Sequence, residues 1–492
     1  MLFPFPTSLR RATTLVAGLA FAGSLAAQAS YSIVRLESVS GPNPQLYTNA
    51  TGVNELGHVA GISDTASGGF APFLYKDGQV IDLGGIPSDP RSGGAKGISD
   101  EGQVVGWTMI KDPVFSGYTG RPMSWTEDGG MTDAAAGTPG FFFGECWGVN
   151  NSGQLALTAG GAHFYDPQTG FKKLQFGSES SWKAWEINED GVVCGAARLN
   201  TQLTAFRYVS ATDTMIPLAD PVLEWQTEAY GLNDRGDIVG WSKRNDGLNP
   251  PMIWTADGQV ILLPIGELAQ FYDDGTAEHI NNHGDVVGRD TTLGPGGSMF
   301  PPIGWLTQDA LAPQPVKVPL LSLLDPASQA DWVHLHPFEI NDAGEIVGTG
   351  LTTAGESRAF LMTPTQPNFR NLSKSLPGVD GHPVLIGKGD LAGGSTVELE
   401  LVKAAPGTVA YMCLGVGTLD APFQGGVMVP DVLSPSGVIR PLLTDAQGAV
   451  SGAGAWPTGL GAGLEFVVQF WIPDAAADFG FAASNAISQI TP

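Results

Sequence analysis

One ten-residue pattern returns seven times along this chain. It reads GVNELGHVAG from Gly52, GISDEGQVVG from Gly97, GVNNSGQLAL from Gly148, EINEDGVVCG from Glu186, GLNDRGDIVG from Gly231, HINNHGDVVG from His279 and EINDAGEIVG from Glu339. The common grammar is an apolar residue, Asn or Ser, two turn residues, Gly, one polar residue, an apolar pair and usually a second Gly. The first Gly falls at Gly57, Gly102, Gly153, Gly191, Gly236, Gly284 and Gly344, so spacings run from 38 to 60 residues. A period of this size marks a supersecondary unit that buries its apolar face only against its neighbours.

The fifth copy shows what one unit is. Residues 228–233 read as a short strand, and Asn-Asp-Arg-Gly turns it. Asn233 accepts from a backbone N–H two residues on, and Gly236 takes the position that often needs a positive φ. Residues 238–242 return as an apolar strand. Met252-Ile253-Trp254 forms a third, Asp257-Gly258 signals a hairpin, and residues 260–263 form a fourth. The same role falls to Asn54, Ser99, Asn150, Asn188, Asn281 and Asn341, each with its own Gly three positions on.

Seven four-stranded antiparallel units predict an all-β fold, a seven-bladed β-propeller over residues 30–367. An open β-solenoid is the alternative, but its coils usually need fewer residues. Residues 31–36 read as a strand with no earlier partner. Added to the seventh unit, that strand would fasten the ring and remove two exposed edges. Residues 368–372 compete for the same place, and the N-terminal strand is preferred. After residue 367 the composition changes. Strand runs at 396–402, 409–414, 427–432 and 464–472 predict a C-terminal β-sandwich over 371–492, with the last run central.

The repeats resemble the HAF family of probable extracellular repeats in bacterial proteins. The resemblance rests on the I-N-x-x-G-x-V-V-G core and on the later pairs His163-Phe164, Ala205-Phe206 and Ala359-Phe360. It covers residues 40 to 365. Ser99 in place of Asn and Leu157 in place of the second Gly depart from it. The resemblance implies an extracellular location and little about chemistry.

The first 29 residues read as a secretory leader. Arg10-Arg11 precede an apolar stretch at 13–26, and Ala27-Gln28-Ala29 offers a cleavage site before Ser30. The expected protein is exported, with no membrane span after cleavage. The formal charge of −25 argues against nucleic acid and anionic lipid as partners. Cys146, Cys194 and Cys413 are expected as small buried apolar residues, with a Cys146–Cys194 disulfide as the alternative.

Candidate chemistry is sparse. Asn54, Ser99, Asn150, Asn188, Asn233, Asn281 and Asn341 are assigned to their own turns rather than to a ligand. Glu55, Asp100, Glu101, Glu189, Asp190, Asp234, Asp237, Asp285, Asp342 and Glu345 are expected as solvated turn decoration. Catalysis would require acids that break the repeat and face the channel. His279 and His283, and His334 and His336, pair by position without a third metal ligand. No cofactor is expected, with bound calcium as an alternative. Trp107, Trp125, Trp147, Trp185, Trp241, Trp254 and Trp305 are assigned to the core between blades, with a sugar-stacking platform at a rim as the alternative. The expected role is non-enzymatic: binding a glycan or protein, or structural, at or outside the cell surface. A carbohydrate-active hydrolase or lyase is the rival. Recognition is expected in the long loops of repeats two, six and seven.

Overall fold

The computed structural model describes residues 30–43, 45–86, 92–111, 117–136, 143–179, 181–219, 226–243, 249–264, 273–292, 301–365 and 368–492. The leader lies outside them, as do parts of the long loops of repeats two and six. The described chain is almost entirely antiparallel β structure of propeller-like design, dominated by four-stranded sheets. Six of these are consecutive in sequence, the fifth for example being Gln226–Leu232, Ile238–Lys243, Pro251–Trp254 and Val260–Leu262. The seventh is assembled from both ends of the repeat region. Trp332–Ile340, Ile346–Thr352 and Ser357–Pro364 are joined by Tyr31–Leu36, which pairs antiparallel with Ser357–Pro364.

The apolar pair in the motif follows from this packing. Neighbouring strand residues point to opposite faces, so each pair serves two interfaces. Val104 packs with repeat one and Val105 with repeat three. Ile238 packs with repeat four and Val239 with repeat six. Ile346 faces repeat six and Val347 faces repeat one. Buried clusters of this kind join each repeat to the next, and the seventh to the first through Val347, Ala359 and Leu361 against Ala50, Val53 and Phe73. The Gly after the pair lies where a Cβ would collide with a first-strand carbonyl, as at Gly106, Gly240 and Gly348. That close approach stands opposite a β-bulge found in all seven first strands, for example between Ala229 and Gly231.

The cysteines are free and buried, Cys146 and Cys194 in different inter-repeat clusters. The third-strand tryptophans Trp254 and Trp305 are in the cores, and Trp125 packs against one.

Beyond residue 367, a six-stranded sheet runs in the order Arg370–Asn371, Ile487–Ile490, Glu465–Pro473, Val409–Val416, Val438–Leu443, with Phe481–Ala483 also paired to Glu465–Pro473. A three-stranded sheet, Val384–Lys388, Thr396–Val402 and Val450–Ala455, shares one apolar cluster with it through Leu385, Leu401, Phe470 and Ile487. Residues 370–371 therefore belong to this module and not to the seventh repeat.

Candidate ligand site in the central channel

Each repeat's first strand lies against the first strands of the repeats before and after it, and the seventh lies against the first. Together they wall a channel whose successive layers can be read from the motif.

At one end are the turns. Asn281 shows their full chemistry: its Oδ1 accepts from the backbone N–H of His283 and Asp285, at 3.0 and 2.9 Å. Its Nδ2 donates 3.0 Å across to the carbonyl of Asn341. Asn341 reaches Asn54 and Asn54 reaches Ser99 in the same way, as do Asn150 to Asn188, Asn188 to Asn233 and Asn233 to Asn281. The Asn therefore caps its own turn and also ties it to the next. Ser99 accepts from Gln103 N–H but has no amide to hand on. The glycines that complete these turns all have positive φ, from 69° at Gly191 to 94° at Gly236.

The next residue of each turn closes a second ring. Glu55 N–H donates to Asp100, Asp100 to Asn151, Asn151 to Glu189 and Glu189 to Asp234. Asp234 then donates to Asn282, Asn282 to Asp342 and Asp342 to Glu55, all at 2.8–3.0 Å. These acids are not solvated decoration. Burial raises the carboxyls of Glu55, Glu189, Asp234 and Asp342 above their ordinary range. Asp237, Asp285 and Glu345 are likewise buried, while Glu101 is the exposed kind expected. A turn spacing shows residue type but not the second turn waiting on its far side, so the sequence could not separate these cases.

The C-terminal module seals this end. Asn371 Nδ2 donates to Asp342 at 3.0 Å, and Ser373 Oγ bonds Asp100. His382 N–H donates to Asp190 at 2.6 Å, Lys403 pairs with Asp190, and Arg235 meets Glu400 at 3.4 Å. A cavity of about 140 Å³ remains between the ring and the module. That is below the usual size of an organic-ligand pocket. Among the described residues no group of three or more His, Cys, Asp or Glu is arranged to hold a metal ion. The ring carboxylates are already engaged by backbone N–H donors. His283 is buried in its turn, and His334 and His336 lie along the seventh first strand with no shared third ligand.

One layer further in, the first motif position is Gly52, Gly97, Gly148 and Gly231 in four repeats but Glu186, His279 and Glu339 in three. The large side chains lie across neighbouring glycines. A Cβ on Gly148 would meet Glu186 Oε1 at 2.5 Å, one on Gly52 would meet Glu339 Oε2 at 3.3 Å, and one on Gly231 would meet the His279 ring at 3.1 Å. All three line the cavity, and they make up a septum layer between the turns and the wall positions further along. Burial pushes Glu186 up to about 8. Burial also lifts Glu339, and the neighbouring Glu186 charge lifts it further. Burial lowers His279 to about 4, and its Nδ1 lies 3.1 Å from the Ile340 carbonyl. The sequence carried this signal as three departures at one register.

Beyond the septum lie the bulge residues: Thr51, Lys96, Trp147, Trp185, Tyr230, Glu278 and Phe338. Trp147 and Trp185 meet edge to face at 4.3 Å, and Trp185 and Tyr230 at 5.1 Å. This is a correction to the expected core role: both tryptophans are half-buried on the channel wall, outside the inter-repeat clusters. Trp185 Nε1 donates to Glu228 at 2.8 Å, Tyr230 Oη donates to the same carboxylate at 3.1 Å, and Trp241 Nε1 donates to Tyr230 at 3.0 Å. Opposite, Glu278 pairs with Arg289 at 3.1 Å and with His336 at 3.5 Å, and His336 stacks on Phe338 at 4.3 Å. The result is a vestibule of flat aromatic faces and fixed polar groups. Its signal in sequence was a residue that varies among the repeats, just before a motif whose Asn or Ser, Gly and apolar pair recur.

No family model matches the chain, and no curated protein matches it. Among solved structures it is similar to a gluconolactonase from Xanthomonas campestris, with TM-score 0.31, 11% identity, 60% of this chain and 90% of that one covered. It is also similar to an acylaminoacyl peptidase, with TM-score 0.36, 9% identity and coverage of 72% and 50%. A puromycin hydrolase gives TM-score 0.34, 9% identity and coverage of 70% and 57%. Likenesses this distant carry no argument about activity. Among the described residues no helix is long and apolar enough to cross a membrane.

Proposed function

We propose that this chain is an exported, HAF-like saccharide-binding protein whose ligand enters the vestibule. Its seven sheets are the blades of a closed propeller, and its C-terminal module is a β-sandwich that plugs the other end. The observation that carries the reading is the aromatic arc of Trp147, Trp185 and Tyr230, the last two held by hydrogen bonds to Glu228. Aromatic faces stack on the C–H faces of sugar rings, and fixed carboxylates accept from their hydroxyls. Titration of the mature protein with a panel of oligosaccharides, followed by calorimetry, tests it. Trp147→Ala and Trp185→Ala should each lose at least about tenfold in affinity. Binding by no saccharide, or binding indifferent to both substitutions, overturns the reading.

A second reading, glycoside cleavage, is favoured by Glu186 and Glu339. They are acids that break the repeat, and both line the small cavity between the turn ring and the C-terminal module. Burial holds Glu186 protonated at neutral pH, as a general acid needs to be. Mass spectrometry of bound oligosaccharides after long incubation decides. Shortened products lost in Glu186→Gln and Glu339→Gln establish cleavage, and intact ligand establishes binding alone.

A further inference from the structure

Two lysines share the aromatic arc. Lys96 Nζ lies 4.2 Å from the centre of the Trp147 ring. Lys183 Nζ lies 5.2 Å from the same ring and 4.2 Å from that of Trp185. Among the described residues neither ammonium has a carboxylate within ion-pair distance. By contrast, the third cation of the vestibule, Arg289, is paired with Glu278. Glu145 and Glu228 are close enough to be felt. Glu228 is committed to the hydroxyl of Tyr230 and the indole of Trp185. Burial and the Lys183 charge both disfavour the ammonium form of Lys96.

Holding two like charges together in a partly closed channel is unfavourable unless something compensates. The tryptophan faces supply part of that, about 0.5–2 kcal/mol per contact. The formal charge of the whole chain is −25, so two cations without an ion-pair contact at the ligand face stand out against it. The hydroxyls of a neutral saccharide can accept from an ammonium but bring no charge to offset the pair. An anionic substituent on that saccharide would bring one.

We infer that the vestibule recognises an acidic saccharide, its anionic group held by Lys96 and Lys183 beside the aromatic arc. The inference rests on the saccharide-binding reading above and names its ligand class. Carboxylates of uronic acids and sulfate esters are the two sources of such a group, and each has a neutral counterpart. The experiment is calorimetric titration of the mature protein with oligogalacturonides against the same oligomers after carboxyl reduction. A parallel pair is sulfated galactan oligomers against their desulfated forms. The expected result is at least a tenfold preference for the acidic member of one pair, weakening as salt is raised. Lys96→Gln/Lys183→Gln removes both charges and should abolish the preference, so that the acidic and neutral members of each pair bind alike. Equal affinity within both pairs overturns the acidic assignment but not the saccharide reading. A preference that survives the double substitution places the anion elsewhere and also overturns it. If no member of either pair binds, the saccharide reading itself has failed.

Discussion

The two ends of the channel are built on the same seven strands and have been put to opposite uses. At the turn end nearly every polar side chain is spent on another part of the protein. Asn54, Asn150, Asn188, Asn233, Asn281 and Asn341 each serve two repeats, and the acids beside them cap a neighbour's backbone. At the vestibule end the equivalent wall positions differ from repeat to repeat. Two cations at this end, Lys96 and Lys183, lie on aromatic faces, and among the described residues neither has a carboxylate within ion-pair distance. Uniformity marks the positions that hold the ring together, and variety marks the positions that face something else.

The comparison can be broken most directly at Asn281. Asn281→Ala leaves two backbone N–H groups unmet in a buried turn and removes one of the two donors to the Asn341 carbonyl. It should cost about 3 kcal/mol in urea denaturation, with saccharide affinity unchanged in the folded fraction. A loss below about 1 kcal/mol would mean the turn ring is not what holds the repeats. Trp185→Ala should behave in the opposite sense. Affinity should fall roughly tenfold, while thermal stability falls less than in the Asn281 variant.

The septum between the two ends sharpens the contrast through pH. Glu186 is raised in the folded state, so the native protein holds a proton that the unfolded chain releases earlier. Its contribution is complete below the ordinary glutamate value and is lost as pH rises toward about 8. The protein should therefore melt at a lower temperature at pH 8 than at pH 5.5. Glu186→Gln should reduce the difference, by about 1 kcal/mol after allowance for channel water. The smallest effect is expected at Ser99. Ser99→Asn supplies the missing amide toward Asn150 and should add about 0.5 kcal/mol, read as a small shift of the urea midpoint.

The sequence made the scaffold legible and the site much less so. The Asn, the positive-φ Gly and the apolar pair each answer a local need: a turn, a backbone conformation, two faces of one strand. Such needs show in residue type alone. Which way a side chain faces is a different matter. Asp342 and Glu101 sit in the same kind of turn, yet one is buried beneath the C-terminal module and the other is exposed. The bulge explains why Trp147 and Trp185 were misassigned. An extra residue in the first strand re-aims whatever occupies it toward the channel, and no periodicity in the sequence announces the shift. Glu186, His279 and Glu339 were readable as departures from Gly. What they lie across, the glycines of adjacent repeats, was not.

The stitching of the seventh sheet has a consequence for how the protein is made. Tyr31–Leu36 is the first segment of the described chain to be synthesised, and its partner Ser357–Pro364 comes near the end of the repeats. The strand must wait, edges open, while some three hundred residues follow it. Six repeats can stack as they emerge, but the circle has no closing partner until the last one does. A chain cut short anywhere before residue 357 is left with both rims of an incomplete arc exposed. That intermediate, rather than the finished protein, is where aggregation and the demand for a chaperone should concentrate.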